Sequence, residues 1–326
     1  MTMTSELLLS ITAVITGFAL LVWGADRFVD GASATARNLG VSPLIIGLTI
    51  VGLGTSAPEM LVSAMAAWQG NPALGIGNAL GSNITNIGLV LGVTALITPL
   101  VVKSDTLRRE YPLMFIIMLL SLMLLLDGEM DRLDGVILVI GLVLMILWMI
   151  RISLQRGHDP MEGEFDKEIP RISTGKAIFW LAFGLILLLG SSRLLVWGAV
   201  DIALTMGVSD LIIGLTIVAI GTSLPELAAS VMSALRNEPD IAIGNVIGSN
   251  MFNLLAVLGI AGIIHPTVLE PEILTRDYFY MIGLSIALFV MAYGFRGQGR
   301  INRIEGLLLL IAYFVYLGLL YHSVTS

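Results

Sequence analysis

The sequence predicts an all-α integral membrane protein in which ten transmembrane helices form two inverted five-helix repeats. Three observations predict this fold: long apolar segments, a repeat at one fixed offset, and five predicted helices in each copy. Of the 326 residues, 56% are hydrophobic and 13% are charged, whereas a soluble domain has about 25% charged residues. This composition excludes an ordinary soluble domain.

The apolar segments at residues 113–126, 136–150 and 306–320 contain no Asp, Glu, Lys, Arg or His, and each continues through mixed flanks. Runs that approach ~20 apolar residues indicate transmembrane helices, because in hydrocarbon only helices and closed barrels satisfy their backbone groups. The segments lack the period-2 alternation of a membrane barrel. The predicted helices lie near residues 7–34, 43–67, 73–98, 110–126, 133–150, 177–200, 210–235, 240–264, 277–294 and 304–321.

The chain repeats itself at an offset of 167 residues. Residues 47–60 (GLTIVGLGTSAPEM) and 214–227 (GLTIVAIGTSLPEL) are identical at ten of fourteen positions, and the same offset pairs residues 75–86 with residues 242–253. An odd number of helices in each copy inserts the second copy upside down relative to the first. The predicted domains are residues 1–150 with a repeat element at 43–98, a cytoplasmic linker at 151–176, and residues 177–326 with a repeat element at 210–264.

The distribution of Lys and Arg predicts the orientation. With the N-terminus outside, thirteen of the 17 basic residues fall in inside loops, and only Arg132 and Arg276 fall in outside loops. Cytoplasmic loops carry the excess of Lys and Arg in membrane proteins. We therefore expect both termini outside the cell.

Glu59 and Glu226 are the most informative residues, because each lies inside an apolar segment within Gly-Thr-Ser-x-Pro-Glu. An ionisable group at that depth is costly unless it faces a polar cavity or a partner. Proline cannot donate a hydrogen bond to the carbonyl four residues earlier, which frees the oxygen of Gly54 or Gly221. The motif predicts a broken helix that presents carbonyl, hydroxyl and carboxylate oxygens.

A second repeated element adds more oxygen donors. Ser82 with Asn86, and Ser249 with Asn253, are four residues apart and so share one helical face. All the candidate donors are hard oxygens, which suit Ca²⁺. Transition metals favour His, Cys or Met ligands; the chain has no Cys, and its three His are scattered.

These two repeated motifs resemble those of the calcium/cation antiporter superfamily, in its sodium/calcium exchanger branch, and the ten-helix plan covers the whole chain. The resemblance implies that Glu59 and Glu226 are the central ligands of Ca²⁺ and Na⁺. It also implies that Thr55 and Thr222 contribute oxygens to Ca²⁺ and to a sodium site. The remaining implied ligands are Ser56, Ser82, Ser223 and Ser249 beside outlying sodium sites, the backbone carbonyls of Gly52 and Ala219, and the side chains of Asn86 and Asn253.

One position departs from part of the family. Some prokaryotic members and the potassium-dependent branch have Asp where this chain has Asn253. The resemblance therefore implies two central carboxylates rather than three, and exchange that does not require K⁺.

The resemblance implies a secondary-active antiporter that exchanges Ca²⁺ for Na⁺ by alternating access. The residues themselves leave an H⁺/Ca²⁺ antiporter open, because two adjacent carboxylates can hold a proton between them. A cation channel and an intramembrane hydrolase fit less well, since the broken-helix pairs suit alternation and nothing beyond the two Glu residues looks catalytic. We expect no enzymatic activity and no cofactor, with Ca²⁺ and Na⁺ as transported substrates. We also expect contact with lipid, no nucleic-acid partner, function as a monomer, and a multi-pass location in the cell (inner) membrane.

Overall fold

A computed structural model of the protein describes residues 3–102, 109–155, 172–207, 219–293 and 299–325. Most of the predicted linker and the first part of the helix predicted at 210–235 lie outside the described residues. The described part contains twelve helical segments. They are α1 (Met3–Leu39), α2 (Pro43–Thr55), α3 (Ala57–Trp68), α4 (Pro72–Ile97), α5 (Tyr111–Leu125), α6 (Arg132–Gln155), α7 (Thr174–Thr205), α8 (Ala219–Thr222), α9 (Leu224–Leu235), α10 (Pro239–Ile264), α11 (Ile273–Ala292) and α12 (Arg303–Thr325).

Seven of the described helices are long and apolar enough to cross a membrane, namely α1, α4, α6, α7, α10, α11 and α12. Helices α2 and α3 together make an eighth candidate, which is bent by 41°. Helices α5 and α9 are apolar but shorter, with 15 and 12 residues. The chain is a helical multi-pass membrane protein, as predicted, and the count of ten spans stays a prediction.

Four short strands, which the all-α prediction missed, join the two halves of the chain. The strand β1 (Leu100–Val102) pairs antiparallel with β4 (Gly299–Ile301), and β2 (Glu129–Met130) pairs with β3 (Thr267–Val268). Each has only two or three residues, too few to show an alternating pattern in the sequence. In each pair one strand comes from the first half and the other from the second.

The end of α1 is set by Gly40, which repeats as Gly207 after α7. Both glycines have positive φ angles, +66° and +79°, a conformation that glycine adopts without strain. At the end of α1, the N–H of Val41 donates to the Ala36 carbonyl and that of Gly40 to the Arg37 carbonyl. This glycine-terminated cap satisfies carbonyls in the last turn of the helix. Helices α1 and α7 are longer than the predicted 7–34 and 177–200.

Helices α1 and α7 pack antiparallel against each other along their length. Gly17 of α1 lies against Leu195 of α7, and Gly31 of α1 lies against Leu181. From the other side, Gly184 of α7 lies against Phe28. Small residues allow helices to approach closely in membranes, where no hydrophobic driving force holds them together.

Helix α10 lies at the centre of the molecule, and every residue from 240 to 252 is buried. It packs closely against α2. A Cβ atom on Gly52 would lie 3.1 Å from the backbone nitrogen of Ser249, and one on Gly248 would collide with the Leu48 carbonyl oxygen. These glycines bring the backbone of α2 against the part of α10 that carries the second repeated motif.

Contacts between the halves recur in reciprocal pairs at the offset of 167. The hydroxyl of Tyr111 donates to the Ser285 carbonyl at 2.6 Å. The hydroxyl of its repeat equivalent, Tyr278, donates at 2.7 Å to the carbonyl of Met118, the equivalent of Ser285. Such reciprocity is the signature of an isologous contact between related units.

Candidate cation site

The helix breaks fall at the two Gly-Thr-Ser-x-Pro-Glu motifs, as the sequence predicts. Helices α2 and α3 meet at Ser56, and α8 and α9 meet at Ser223; Pro58 and Pro225 lie in the first turn after each break. The carbonyl freed by Pro225 is that of Gly221, which accepts a hydrogen bond from Ser192 Oγ of α7 at 3.0 Å. This freed oxygen therefore ties α7 to the second break.

Glu59 and Glu226 occupy the first turns of α3 and α9, and each is only 1% exposed. The two carboxylates are close enough to interact electrostatically. In each of them Oε2 has no hydrogen-bond partner among the described residues. A helix N-terminus favours a negative charge, yet an unpartnered buried carboxylate oxygen is costly. A bound cation would satisfy both oxygens.

Asn78 of α4 and Asn245 of α10 hold these two turns in matching ways. The Nδ2 atom of Asn78 donates to the Glu59 carbonyl at 3.3 Å and to Ser63 Oγ at 3.0 Å. Asn245 makes the same bonds, at the same distances, to the Glu226 carbonyl and to Ser230 Oγ. The spacing of the motifs does not single out these two asparagines, although both lie inside the repeated second element.

Thr55 connects the first broken helix to the second half of the chain. Its Oγ1 lies 3.1 Å from Asn245 Oδ1 and 3.5 Å from Ser249 Oγ. The hydroxyls of Thr55 and Ser56 also lie near the Glu226 carboxylate, and Ser56 Oγ has no hydrogen-bond partner among the described residues. Ser249 Oγ lies 3.4 Å from the Gly52 carbonyl. The structure thus brings five of the twelve candidate residues together across the two halves: Gly52, Thr55, Ser56, Glu226 and Ser249.

Asn86 and Asn253 are both 1% exposed and start π-helical turns, Asn86–Leu91 and Asn253–Val257. Such turns frequently accompany functional sites, and the sequence pattern did not reveal them. Nδ2 of Asn86 donates to Asn250 Oδ1, and Nδ2 of Asn253 donates to Asn83 Oδ1, both at 3.1 Å. The Oδ1 atoms of Asn86 and Asn253 have no hydrogen-bond partner among the described residues.

The remaining candidates lie at the repeat-equivalent positions. Ser82 and Ser223, the equivalents of Ser249 and Ser56, are buried. Ala219 begins α8 and is the equivalent of Gly52; Thr222 ends α8 and is half-buried.

The donors around the two glutamates are carboxylate, hydroxyl, amide and carbonyl oxygens. No group of three or more His, Cys, Asp or Glu residues suited to a metal ion occurs within the described ranges. Oxygen donors in flexible number suit Ca²⁺ rather than transition metals. Together with the spanning helices, this buried set of oxygens defines a membrane transporter of cations.

Comparison with known proteins specifies the family. The sequence profile described as "Sodium/calcium exchanger protein" matches residues 9–151 and 176–322. The chain is 51% identical to the "Putative antiporter CaxA" of Alkalimonas amylolytica (95% of this chain, 98% of the relative). It is 40% identical to "Inner membrane protein YrbG" of Escherichia coli K12 (97% and 98%).

A solved structure of the sodium-calcium exchanger NCX_Mj matches with a TM-score of 0.82 and 32% identity, covering 96% of this chain and 98% of that one. The chain belongs to the sodium/calcium exchanger family. The resemblance seen in its motifs is confirmed, and with it the expectation of a membrane antiporter of cations.

Proposed function

We propose that this protein exchanges Ca²⁺ for Na⁺ across the cell membrane by alternating access, with the two ions competing for Glu59 and Glu226. One observation carries the proposal. Two carboxylates, one from each half, are buried together, and each keeps one oxygen without a hydrogen-bond partner in the part of the chain that the structure describes. Two carboxylates balance the charge of one Ca²⁺. When Na⁺ ions replace Ca²⁺, their positive charge balances the same two carboxylates.

We propose that the other ligands are the oxygens grouped around these carboxylates. The contacts of Thr55, Ser249 and the Gly52 carbonyl, and the position of Ser56 near Glu226, support the first set. The repeat supplies the equivalents Thr222, Ser223, Ser82 and the Ala219 carbonyl. The Oδ1 atoms of Asn86 and Asn253, which have no partner within the described ranges, complete the set. The exchanger NCX_Mj was soaked with Na⁺ and with Ca²⁺ or Sr²⁺, which supports the same pair of substrates here.

The proposed architecture groups the twelve helical segments into ten spans, with α2 and α3 as one broken span and α8 and α9 as its equivalent. Five spans in each half make the halves inverted repeats. The reciprocal tyrosine contacts and the crossed strand pairs support this arrangement. We propose that residues 1–150 and 177–326 form the halves, that both termini are outside, and that the chain works as a monomer surrounded by lipid.

In this orientation the described conformation faces outward. Leu224, Ala228 and Met232 of α9 pack against the buried cluster formed with α1. Their repeat equivalents on α3 are exposed, namely Ala57, Leu61 and Met65. Helix α1 therefore covers the inner half of one broken span, while this face of the outer half of the other is exposed among the described residues. Sliding of α1 and α7 along the broken spans would reverse this arrangement.

An H⁺/Ca²⁺ antiporter is the second candidate, and the electrostatic interaction between Glu59 and Glu226 favours it. A proton can bridge two carboxylates whose negative charges repel. In that mechanism protons, not Na⁺, would replace Ca²⁺.

The decisive experiment measures ⁴⁵Ca²⁺ uptake by the purified chain in proteoliposomes. We expect an outward Na⁺ gradient to drive uptake when the pH is equal on both sides. Uptake driven by a pH gradient and not by Na⁺ would replace the proposal with the proton-coupled one. Single cysteines at Asp127 and Gly175, both exposed, test the orientation, because the chain has no Cys of its own. A maleimide reagent that cannot cross the membrane should label Asp127→Cys in intact cells and Gly175→Cys only after lysis.

A further inference from the structure

Four buried asparagines meet between α4 and α10, and two of them lie outside the proposed ligand set. Asn83 is fully buried, and Asn86, Asn250 and Asn253 are each 1% exposed. Asn83 and Asn250 are repeat equivalents, as are Asn86 and Asn253. Each amide of one pair bonds to an amide of the other pair from the opposite half, as described above.

The direction of these hydrogen bonds matters because an asparagine amide has two unlike ends. Nδ2 donates and Oδ1 accepts, and a half-turn about the last side-chain bond exchanges them. The oxygen Asn250 Oδ1 can bond only to a donor, so Asn86 must turn its Nδ2 toward it. For the same reason Asn253 must turn its Nδ2 toward Asn83 Oδ1. Both contacts therefore turn the oxygens of Asn86 and Asn253 away from the asparagine pairs.

We infer that Asn83 and Asn250 are positioning residues that direct the Oδ1 atoms of Asn253 and Asn86 into the cation site. The inference rests on the proposed function, which makes Asn86 and Asn253 ligands. With the amide reversed, the group facing the site would be an N–H donor, which repels a cation. Asn250 thus acts through Asn86, and Asn83 acts through Asn253.

The pattern of satisfied atoms distinguishes positioning from simple packing. A polar cluster that served only to join α4 and α10 would gain most by pairing its acceptors internally, because an unmade buried hydrogen bond is costly. Among the described residues, the Oδ1 atoms of Asn86 and Asn253 are both unpartnered, whereas those of Asn83 and Asn250 both accept. The Nδ2 atom of Asn250 is also unpartnered there, whereas that of Asn83 donates. The two halves leave the same atom free at equivalent positions.

Asn83 is itself held by the second half of the chain. Its Nδ2 donates to the Asn250 carbonyl at 3.2 Å and lies 3.3 Å from Met281 Sδ of α11. With its Nδ2 used in this way, Asn83 presents Oδ1 to Asn253. The Asn250 backbone carbonyl, which accepts only and cannot exchange its ends as a side-chain amide can, therefore fixes the orientation of Asn83. Asn83 in turn fixes the orientation of Asn253.

The test is a double-mutant cycle on Ca²⁺ binding by the full chain in detergent, measured as equilibrium ⁴⁵Ca²⁺ binding. We expect Asn250→Leu to raise the half-saturating Ca²⁺ concentration about tenfold, the scale of losing one contact to a charged group. Asn86→Leu should do the same, and the double variant should be no weaker than Asn86→Leu alone. Asn250→Asp keeps an acceptor for Asn86 Nδ2 and should not weaken binding. Asn38→Leu, an exposed asparagine that bonds to the Ile172 carbonyl, is the matched control.

The inference would be overturned if the double variant raised the half-saturating Ca²⁺ concentration by the product of the two single increases. That result would show that Asn250 acts independently of Asn86. Equal weakening by Asn250→Asp and Asn250→Leu would also overturn it. The parallel cycle of Asn83→Leu with Asn253→Leu gives a second answer if Asn250→Leu does not fold. A wild-type chain that binds no ⁴⁵Ca²⁺ would instead reject the proposed function. The same binding measurement therefore distinguishes failure of the proposed function from failure of the inference.

Discussion

Arg236, just after α9, is paired with Asp26 in the middle of α1: its Nε donates to Asp26 Oδ1 at 2.8 Å. Its Nη1 also lies 3.6 Å from Asp30 Oδ1, one turn further along α1. The repeat equivalents of Arg236 and Asp26 are Gln69 and Arg193, which cannot form an ion pair. The ion pair between α9 and α1 therefore has no counterpart at the equivalent positions of α7 and at the end of α3. The two halves thus differ in how their long helix is attached to the broken span.

Arg236→Gln should weaken the conformation in which α1 covers α9. A partly exposed ion pair contributes about 0.2–1 kcal/mol, so the population of the opposite conformation should rise by a factor of about 1.4 to 5. The rate at which a membrane-permeant maleimide labels Ala228→Cys, half-buried beneath α1, reports that population. Arg132→Gln, at an exposed arginine in the first turn of α6, should leave labelling unchanged. Identical labelling rates in the Arg236 variant and the parent would show that the ion pair does not hold α1.

Glu59→Gln and Glu226→Gln should each lower Na⁺-driven ⁴⁵Ca²⁺ uptake at least about thirtyfold, since removing one partner of a buried charge pair costs 2–5 kcal/mol or more. Both variants should stay folded, because Asn78 and Asn245 hold the two turns through backbone carbonyls and not through the carboxylates. Size-exclusion chromatography and thermal unfolding check the fold. Glu129→Gln, at an exposed acid of β2, is the control. Wild-type uptake by either site variant would remove that carboxylate from the ligand set.

Gly248→Ala should destabilise the protein by about 1–3 kcal/mol, the usual cost of overpacking. The added methyl group would meet the Leu48 carbonyl and force α2 away from α10, separating Thr55 from Ser249. Gly318→Ala is the matched control, because a Cβ atom there meets nothing within 4 Å among the described residues. The midpoint of thermal unfolding should fall for the first variant and not for the second. If Gly248→Ala and Gly318→Ala unfold at the same midpoint, α2 and α10 are not packed as closely at Gly248 as the structure indicates.

The sequence alone supports much of the fold and the centre of the site, because these depend on local patterns. The breaks at Ser56 and Ser223 follow from proline chemistry, and the candidate ligands follow from a repeat visible at one offset. The contacts that complete the site depend on which helix faces meet. The bond from Ser192 to Gly221 and the amide pairs of Asn83 and Asn250 are of this kind. No periodicity encodes such contacts.

Asn253 gives the last prediction, because it connects charge with hydrogen-bond direction. Asn253 contributes no charge, so two carboxylates balance one Ca²⁺ and exchange should be unaffected by K⁺. In Asn253→Asp the new carboxylate has no N–H to donate, and it would face Asn83 Oδ1, another acceptor. We therefore expect lower uptake from this variant, together with a response to K⁺ or to acid pH that the parent lacks.

Asn83→Ser in the Asn253→Asp background supplies a hydroxyl donor in place of the opposing oxygen and should restore part of the lost uptake. Asn83→Leu, which supplies no donor, should restore none and is the matched comparison. Na⁺-driven ⁴⁵Ca²⁺ uptake with and without K⁺, at two pH values, measures all four proteins. Strict K⁺ dependence of the parent would contradict the two-carboxylate site. Equal uptake by the Ser and Leu double variants would show that the opposing oxygen of Asn83 is not what limits the Asp variant.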